Sequence, residues 1–170
     1  MKSIKFNQQG MQGIQSGVKT MTRRPIKVRT DITKQAWIDT LIPDYCKCKV
    51  GETVFVQEDF YKEANYIEYK ADFVQGENLE SFTWFNASEM KEHQARFFLK
   101  IKSIKVERLQ DISDEDCEKE GVRFFNNGAF NSVPQEAFEH QIWNNLPYQA
   151  PYDWNSNPYV FVYEFERVAS

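Results

Sequence analysis

The stretch ARFFLKIKSIKVERL, residues 95–109, alternates apolar and polar side chains more clearly than any other part of the chain. A period of two marks a strand with one face on a core and the other in water. Such strands belong to antiparallel or mixed sheets, because parallel strands buried on both faces read as continuous apolar runs. KSIKFN near the start, VKTMTRRPIKV from Val18, ETVFVQEDFY from Glu52, YIEYKADF from Tyr66 and the closing PYVFVYEFERV also read as strands. Pro25 places the second of these at a sheet edge or marks its end.

Helical signals are fewer. QQGMQGIQSG carries Met11 and Ile14 at helical spacing, with Gly17 positioned to end the helix. DITKQAWIDTLI offers Asp31 as N-cap before Pro43. DISDEDCEKEG offers Ser113 as N-cap, acids in its first turn and Gly121 beyond its end. PQEAFEHQIWNNL places Pro134 near the first helical position, with Phe138, Ile142 and Trp143 on one side. About six strands without regular strand-helix alternation predict an α+β fold: a small, partly closed mixed or antiparallel barrel with helices on its rim. A chain of 170 residues suits a single domain spanning 1–170. The segment from Phe73 to Gln94 is polar and turn-rich apart from its aromatics, and reads as an excursion over a site.

Charge is uneven. Residues 1–50 carry ten Lys and Arg against three acids, whereas the rest carries eleven against 22, for a formal net charge of -4. That balance argues against long nonspecific duplex binding, but the basic N-terminal third is suited either to a phosphate-facing surface or to plain solvation. No run approaches the roughly 20 apolar residues of a membrane span, and the first residues lack the apolar core of a signal peptide. Cys46, Cys48 and Cys117 are an odd number, and reduced thiols fit a cytoplasmic protein. The one-residue spacing of Cys46 and Cys48 misses that of common zinc knuckles, so neither a metal nor a cofactor is expected.

Phosphate-cradling glycine loops, zinc-protease and serine-hydrolase motifs and paired CxxC are absent, and His93 and His140 each stand alone. What remains is KTMTRRP, residues 19–25. A Thr hydroxyl is a poor nucleophile unless a base takes its proton, and Lys is such a base when burial or neighbouring cations depress its pKa. In an extended strand Lys19 and Thr22 fall on opposite faces, so they meet only if Lys19 lies in the turn after Gly17 or at a bulge. The alternative is an edge strand whose cations deter aggregation.

The chain resembles the ASCH domains of the PUA-like superfamily, in the branch commonly encoded by phages and prophages. The resemblance rests on IKFN, GIQSGVKTMTRRPIK, VGETVFVQEDF, YKAD, ARFFLKIKSIKVERLQDISDEDCEKEGV and WNSNPYVFVYEFERV. It departs at Glu52, where Asp is common, and at Gln57, where Arg often precedes the Glu now at 58. The resemblance implies a PUA-like barrel with a cleft for nucleosides, nucleotides or single-stranded RNA. One bacterial branch is similar to 4-acetylcytidine amidohydrolases, whose catalytic Lys, Thr and Glu fall on Lys19, Thr22 and Glu120. Arg24 then inherits a substrate or phosphate contact. Arg23, Glu58, Tyr69 and Trp84 complete the expected substrate-binding set, with aromatics stacking a base. The implied activity is hydrolysis of a modified nucleoside. A non-catalytic binder of single-stranded or modified nucleic acid, or a ribonuclease, are the alternatives.

Overall fold

The computed structural model describes residues 1–27, 45–73, 81–122 and 133–168. The expected helix at 31–42 lies outside them. Among the described residues there are seven strands: β1 (Ser3–Lys5), β2 (Met21–Pro25), β3 (Thr53–Gln57), β4 (Phe60–Glu63), β5 (Tyr66–Tyr69), β6 (Phe98–Arg108) and β7 (Tyr159–Val168). Three α-helices accompany them, beside short 3-10 turns: α1 (Gln8–Gln15), α2 (Asp114–Lys119) and α3 (Pro134–Gln141). The architecture is α+β. One five-stranded mixed sheet runs β1-β3-β6-β7-β2, with β1 and β3 parallel and the other neighbours antiparallel, and β4 and β5 form a separate hairpin.

The long alternating stretch becomes β6, and its alternation has a defect with a structural cause. Leu99 and Ile101 occupy odd positions, but the next apolar residues, Ile104 and Val106, occupy even ones. The ladder shifts at this point: Ile101 pairs with Phe165 and Ser103 with Glu164, so two residues of β6 oppose one of β7. A bulge restores the apolar side chains to one face after the phase change and adds local twist.

β7 is the central divider. Phe161, Tyr163 and Phe165 enter one core with Ile4, Phe6, Met11, Ile14, Val54, Val56, Leu99 and Ile101. Val160 and Val162 enter the other, with Met21, Leu109, Ile112, Cys117, Phe138 and Trp143. Because successive side chains alternate across a sheet, α1 and the β1 end lie over one face and α2 and α3 over the other. β2 obeys the same rule: Met21 joins the α2–α3 core, whereas Ile26, just past the strand, joins the α1 core.

Among the described residues the ladder does not close into a barrel; β1 and β2 are its two edges. These edges nevertheless approach each other, since the Arg24 guanidinium on β2 donates to the Lys5 carbonyl on β1 at 2.6 Å and lies over the Phe6 ring, 5.0 Å from its centroid. The sheet is thus curled, and one side chain spans the gap between its ends. No helix among the described residues is long and apolar enough to cross a membrane.

The described part of the 73–94 segment packs on the β4–β5 hairpin. Phe85 bridges to Phe60 through backbone hydrogen bonds and ring stacking, and Phe82 contacts Tyr61, Phe73 and Trp84.

Candidate functional site

Where the sheet edges approach without pairing, they leave a cleft. It encloses ≈ 560 Å³ of empty space when the open solvent at its mouth is counted. Lys5, Phe6, Asn7, Gly10 and Gly13 line it from the β1–α1 side, Lys19, Thr22, Arg23 and Arg24 from β2 and its approach, and Glu120 and Gly121 from the end of α2. Phe138, Ile142, Trp143 and Leu146 supply an apolar wall. Lys19, Thr22 and Glu120 therefore share one cavity although Glu120 is about a hundred residues from the other two.

The placement of Lys19 has a local cause. Asn7 caps α1 by accepting from the Gly10 amide, and Gly17, at φ +78°, terminates the helix and turns the chain back. The Lys19 amide then donates to the Gly13 carbonyl at 2.9 Å, and the Thr20 amide to the Lys119 carbonyl at 2.9 Å. Lys19 thus precedes β2, in the turn after Gly17, and is free of the strand's alternation. Gly13 makes this approach feasible: a Cβ there would stand 2.9 Å from the Lys19 Cβ.

The Lys19 ammonium position is buried. Nζ donates to the Glu120 carboxylate Oε2 at 2.6 Å and to the Glu120 backbone carbonyl at 2.7 Å. Burial pulls its pKa below the ordinary 10.5 of lysine; Glu120 opposes this, while Arg24 and Arg23 add to it. Two acceptors satisfy both N–H bonds of a neutral amine, leaving its lone pair as the remaining tetrahedral direction. Glu120 therefore holds Lys19 in place in either protonation state.

Thr22 is only 2% exposed and lines the cleft. No described residue hydrogen-bonds its hydroxyl, yet among the described residues no fully buried side-chain N or O atom lacks a partner. The hydroxyl is therefore open to the cavity. Arg24 is half-buried at the cleft, with donors left beyond its bonds to the Lys5 and Arg23 carbonyls.

Arg23 departs from the expected ligand contact. Its guanidinium is fully buried and its five N–H bonds are all spent: Nε and NH2 on Glu107 Oε1 (3.1 and 2.6 Å), NH2 on Asp116 Oδ2 (2.6 Å), and NH1 on Glu120 Oε1 (3.2 Å) and the Met21 sulfur (3.5 Å). Burial alone would lower its pKa, but the surrounding carboxylates outweigh that and raise it. Lys105 caps the cluster from outside, 2.9 Å from Glu107 and 3.1 Å from Asp116.

Glu58, Tyr69 and Trp84 do not line this cleft. Glu58 is buried in a two-bond pair with Arg96 (2.9 and 3.0 Å), which also binds Asp72 and lies 4.2 Å from the Tyr69 ring centroid. Burial raises the Glu58 pKa against the pull of Arg96. The Tyr69 hydroxyl donates to the Gln94 carbonyl, and Trp84 packs against Phe73 and Phe82. Gln57 turns away, donating to the Met90 carbonyl, so no cation is lost from the cleft at that position. His93 and His140 also lie outside the lining. The described residues hold no group of three or more metal-ligating side chains, and Cys46 donates to the Tyr163 hydroxyl.

Sequence reasoning missed Phe6, Asn7, Gly10 and Gly13 as lining residues, and Glu107 and Asp116 as the partners of Arg23. Two glycines inside one helical pattern were the available signal, since each costs about 1 kcal/mol against Ala and calls for a packing reason. Comparison with protein-family models, curated proteins and solved structures gave no match.

Proposed function

We propose that this chain is an ASCH-type, PUA-like hydrolase that removes the acyl group from an acylated cytidine, with Thr22 as nucleophile and Lys19 as base. The observation that carries this reading is the convergence of an unpartnered Thr hydroxyl and a buried, pKa-lowered Lys on one cleft, with Glu120 fixing the Lys amine. The curled sheet whose edges are bridged by Arg24 is compatible with the partly open barrel expected of that superfamily.

In the first half-reaction the Thr22 oxygen attacks the acyl carbonyl carbon while its proton passes to neutral Lys19. The tetrahedral intermediate collapses as the C–N bond to the exocyclic amine breaks, and that nitrogen takes the proton back from Lys19. Water, deprotonated by Lys19, then attacks the acyl-Thr22 ester. Thr22 leaves with its proton, and one acid and one cytidine result from one amide and one water. Lys5 and the donors Arg24 has left beyond its two carbonyl bonds suit a phosphate or sugar oxygen, and the ring of Phe6 with the wall of Phe138, Ile142, Trp143 and Leu146 suits the apolar parts of the ligand.

The test is incubation with N4-acetylcytidine and chromatographic detection of cytidine and acetate. Release by the wild-type chain and none by a folded Thr22→Ala variant is the expected result. Salt-sensitive binding of single-stranded RNA with no product would favour a non-catalytic binder using the same cleft.

A further inference from the structure

We infer that Arg23 is a positioning residue: its guanidinium, held by Glu107 and Asp116, fixes the Glu120 carboxylate by one oxygen so that the other oxygen holds the Lys19 amine at the cleft. This rests on the reading of Lys19 as the base of that site.

The geometry runs outward in a single chain of contacts. Lys19 Nζ is 2.6 Å from Glu120 Oε2, and Glu120 Oε1 is 3.2 Å from Arg23 NH1. The opposite side of the guanidinium meets Glu107 and Asp116, each at 2.6 Å, and Lys105 closes the outer end against both acids. Every member except Lys105 is at least four-fifths buried, and Lys105 is half exposed. A carboxylate paired through both oxygens cannot swing away from Lys19 without abandoning Arg23. An arginine with all five donors spent cannot turn into the cleft to meet a substrate. β2 accounts for the division of labour: Thr22 and Arg24 point to the α1 side, and Arg23, between them, points to the α2–α3 side. Adjacent residues thus meet the ligand and brace the base respectively.

Arg23 also acts on Lys19 through charge. The charged groups around the Lys19 amine are Glu120 from the end of α2, Arg23 and Arg24 from β2, and Lys5 from β1 across the cleft; α1 presents Gly13, and the Phe6 ring lies just before that helix. Removing the Arg23 cation removes a repulsion on the ammonium and leaves Glu120 to pair with Lys19 alone. Both changes favour protonated Lys19.

The experiment is titration of the Lys19 side chain in substrate-free protein by NMR of ¹³Cε-labelled lysine, with the signal assigned by its loss in Lys19→Arg. In Arg23→Gln the midpoint is expected to rise, because losing a neighbouring cation and freeing Glu120 both favour the charged amine. In Arg23→Lys, which keeps the cation, it should return most of the way. Where Arg23→Gln alone does not fold, the charge-balanced pair Arg23→Gln with Asp116→Asn is titrated instead, with the same rise expected. An unchanged or lowered midpoint in the folded Gln variant, or a Lys variant that behaves like the Gln one, would overturn the inference. The titration needs no substrate, so a failure to hydrolyse acetylcytidine leaves its outcome intact and counts only against the proposed reaction.

Discussion

Gly13→Ala isolates the role of helix α1 in setting Lys19. In an ordinary helix the change stabilises by about 0.8–1 kcal/mol. Here the new Cβ would lie 2.9 Å from the Lys19 Cβ, against 3.4–4 Å for an ordinary contact. Lys19 must retreat by at least about 0.5 Å, and the obstacle is a Cβ fixed to the backbone, not the free end of a side chain. Its amide is also tied to the Gly13 carbonyl at 2.9 Å, so the adjustment disturbs the turn. Overpacking costs about 1–3 kcal/mol, so the propensity gain leaves a net loss of about 0–2 kcal/mol. At about 2–4 °C per kcal/mol for a chain this long, Tm falls by no more than about 8 °C. Activity is hit harder, because displacing a reacting group by a fraction of an ångström to 1 Å costs up to about 100-fold. Thermal unfolding beside kcat/KM on N4-acetylcytidine is the assay. A Gly13→Ala protein about 1 kcal/mol more stable than wild type, with undiminished turnover, would show that α1 does not press on Lys19 as described.

Further expectations follow from the charges. Lys19 titrates below 10.5 in the folded chain, so between its folded value and 10.5 the unfolded chain binds more protons and stability rises with pH. Urea unfolding across this window should show the wild type gaining on Lys19→Met as pH rises, and kcat/KM should climb through the same folded value. Asp116 is shifted the other way: burial would raise it, but the bonds from Arg23 and Lys105 hold it below 3.8. Its advantage over Asp116→Asn, about 1–3 kcal/mol at neutral pH, should fade as pH falls below 3.8 through the folded value. Tyr69→Phe should lose about 1 kcal/mol of stability with its bond to Gln94 and leave kcat/KM unchanged, because Tyr69 stands outside the cleft.

Local structure was legible wherever a short-range rule decided it. The cap Ser113, the positive-φ glycines 17 and 121 and Pro134 at a helix start appear where backbone chemistry requires them. The convergence of Lys19 with Glu120 was accessible only through resemblance, because no periodicity links residues so far apart in sequence. Arg23 and Arg24 were read alike, since two adjacent arginines look equivalent until the faces of β2 are assigned. The alternation that gives them opposite faces was in hand; what lay on each face was not. Glu58 and Tyr69 were drawn toward a ligand because Arg96, 27 or more residues later, gives no local sign that it binds them both. The bulge at Lys102, which adds local twist to β6, is recorded in the sequence only as a one-residue slip in apolar phase.

The measurement closest to the central claim is mass spectrometry of the wild-type chain quenched during turnover of N4-acetylcytidine. The account requires a transient acetyl ester that peptide mapping localises to Thr22 and that is absent from Thr22→Ala, which also releases no cytidine. Cytidine release that continues in folded Thr22→Ala, with no acylated Thr22 in the wild type at any time point, would contradict it.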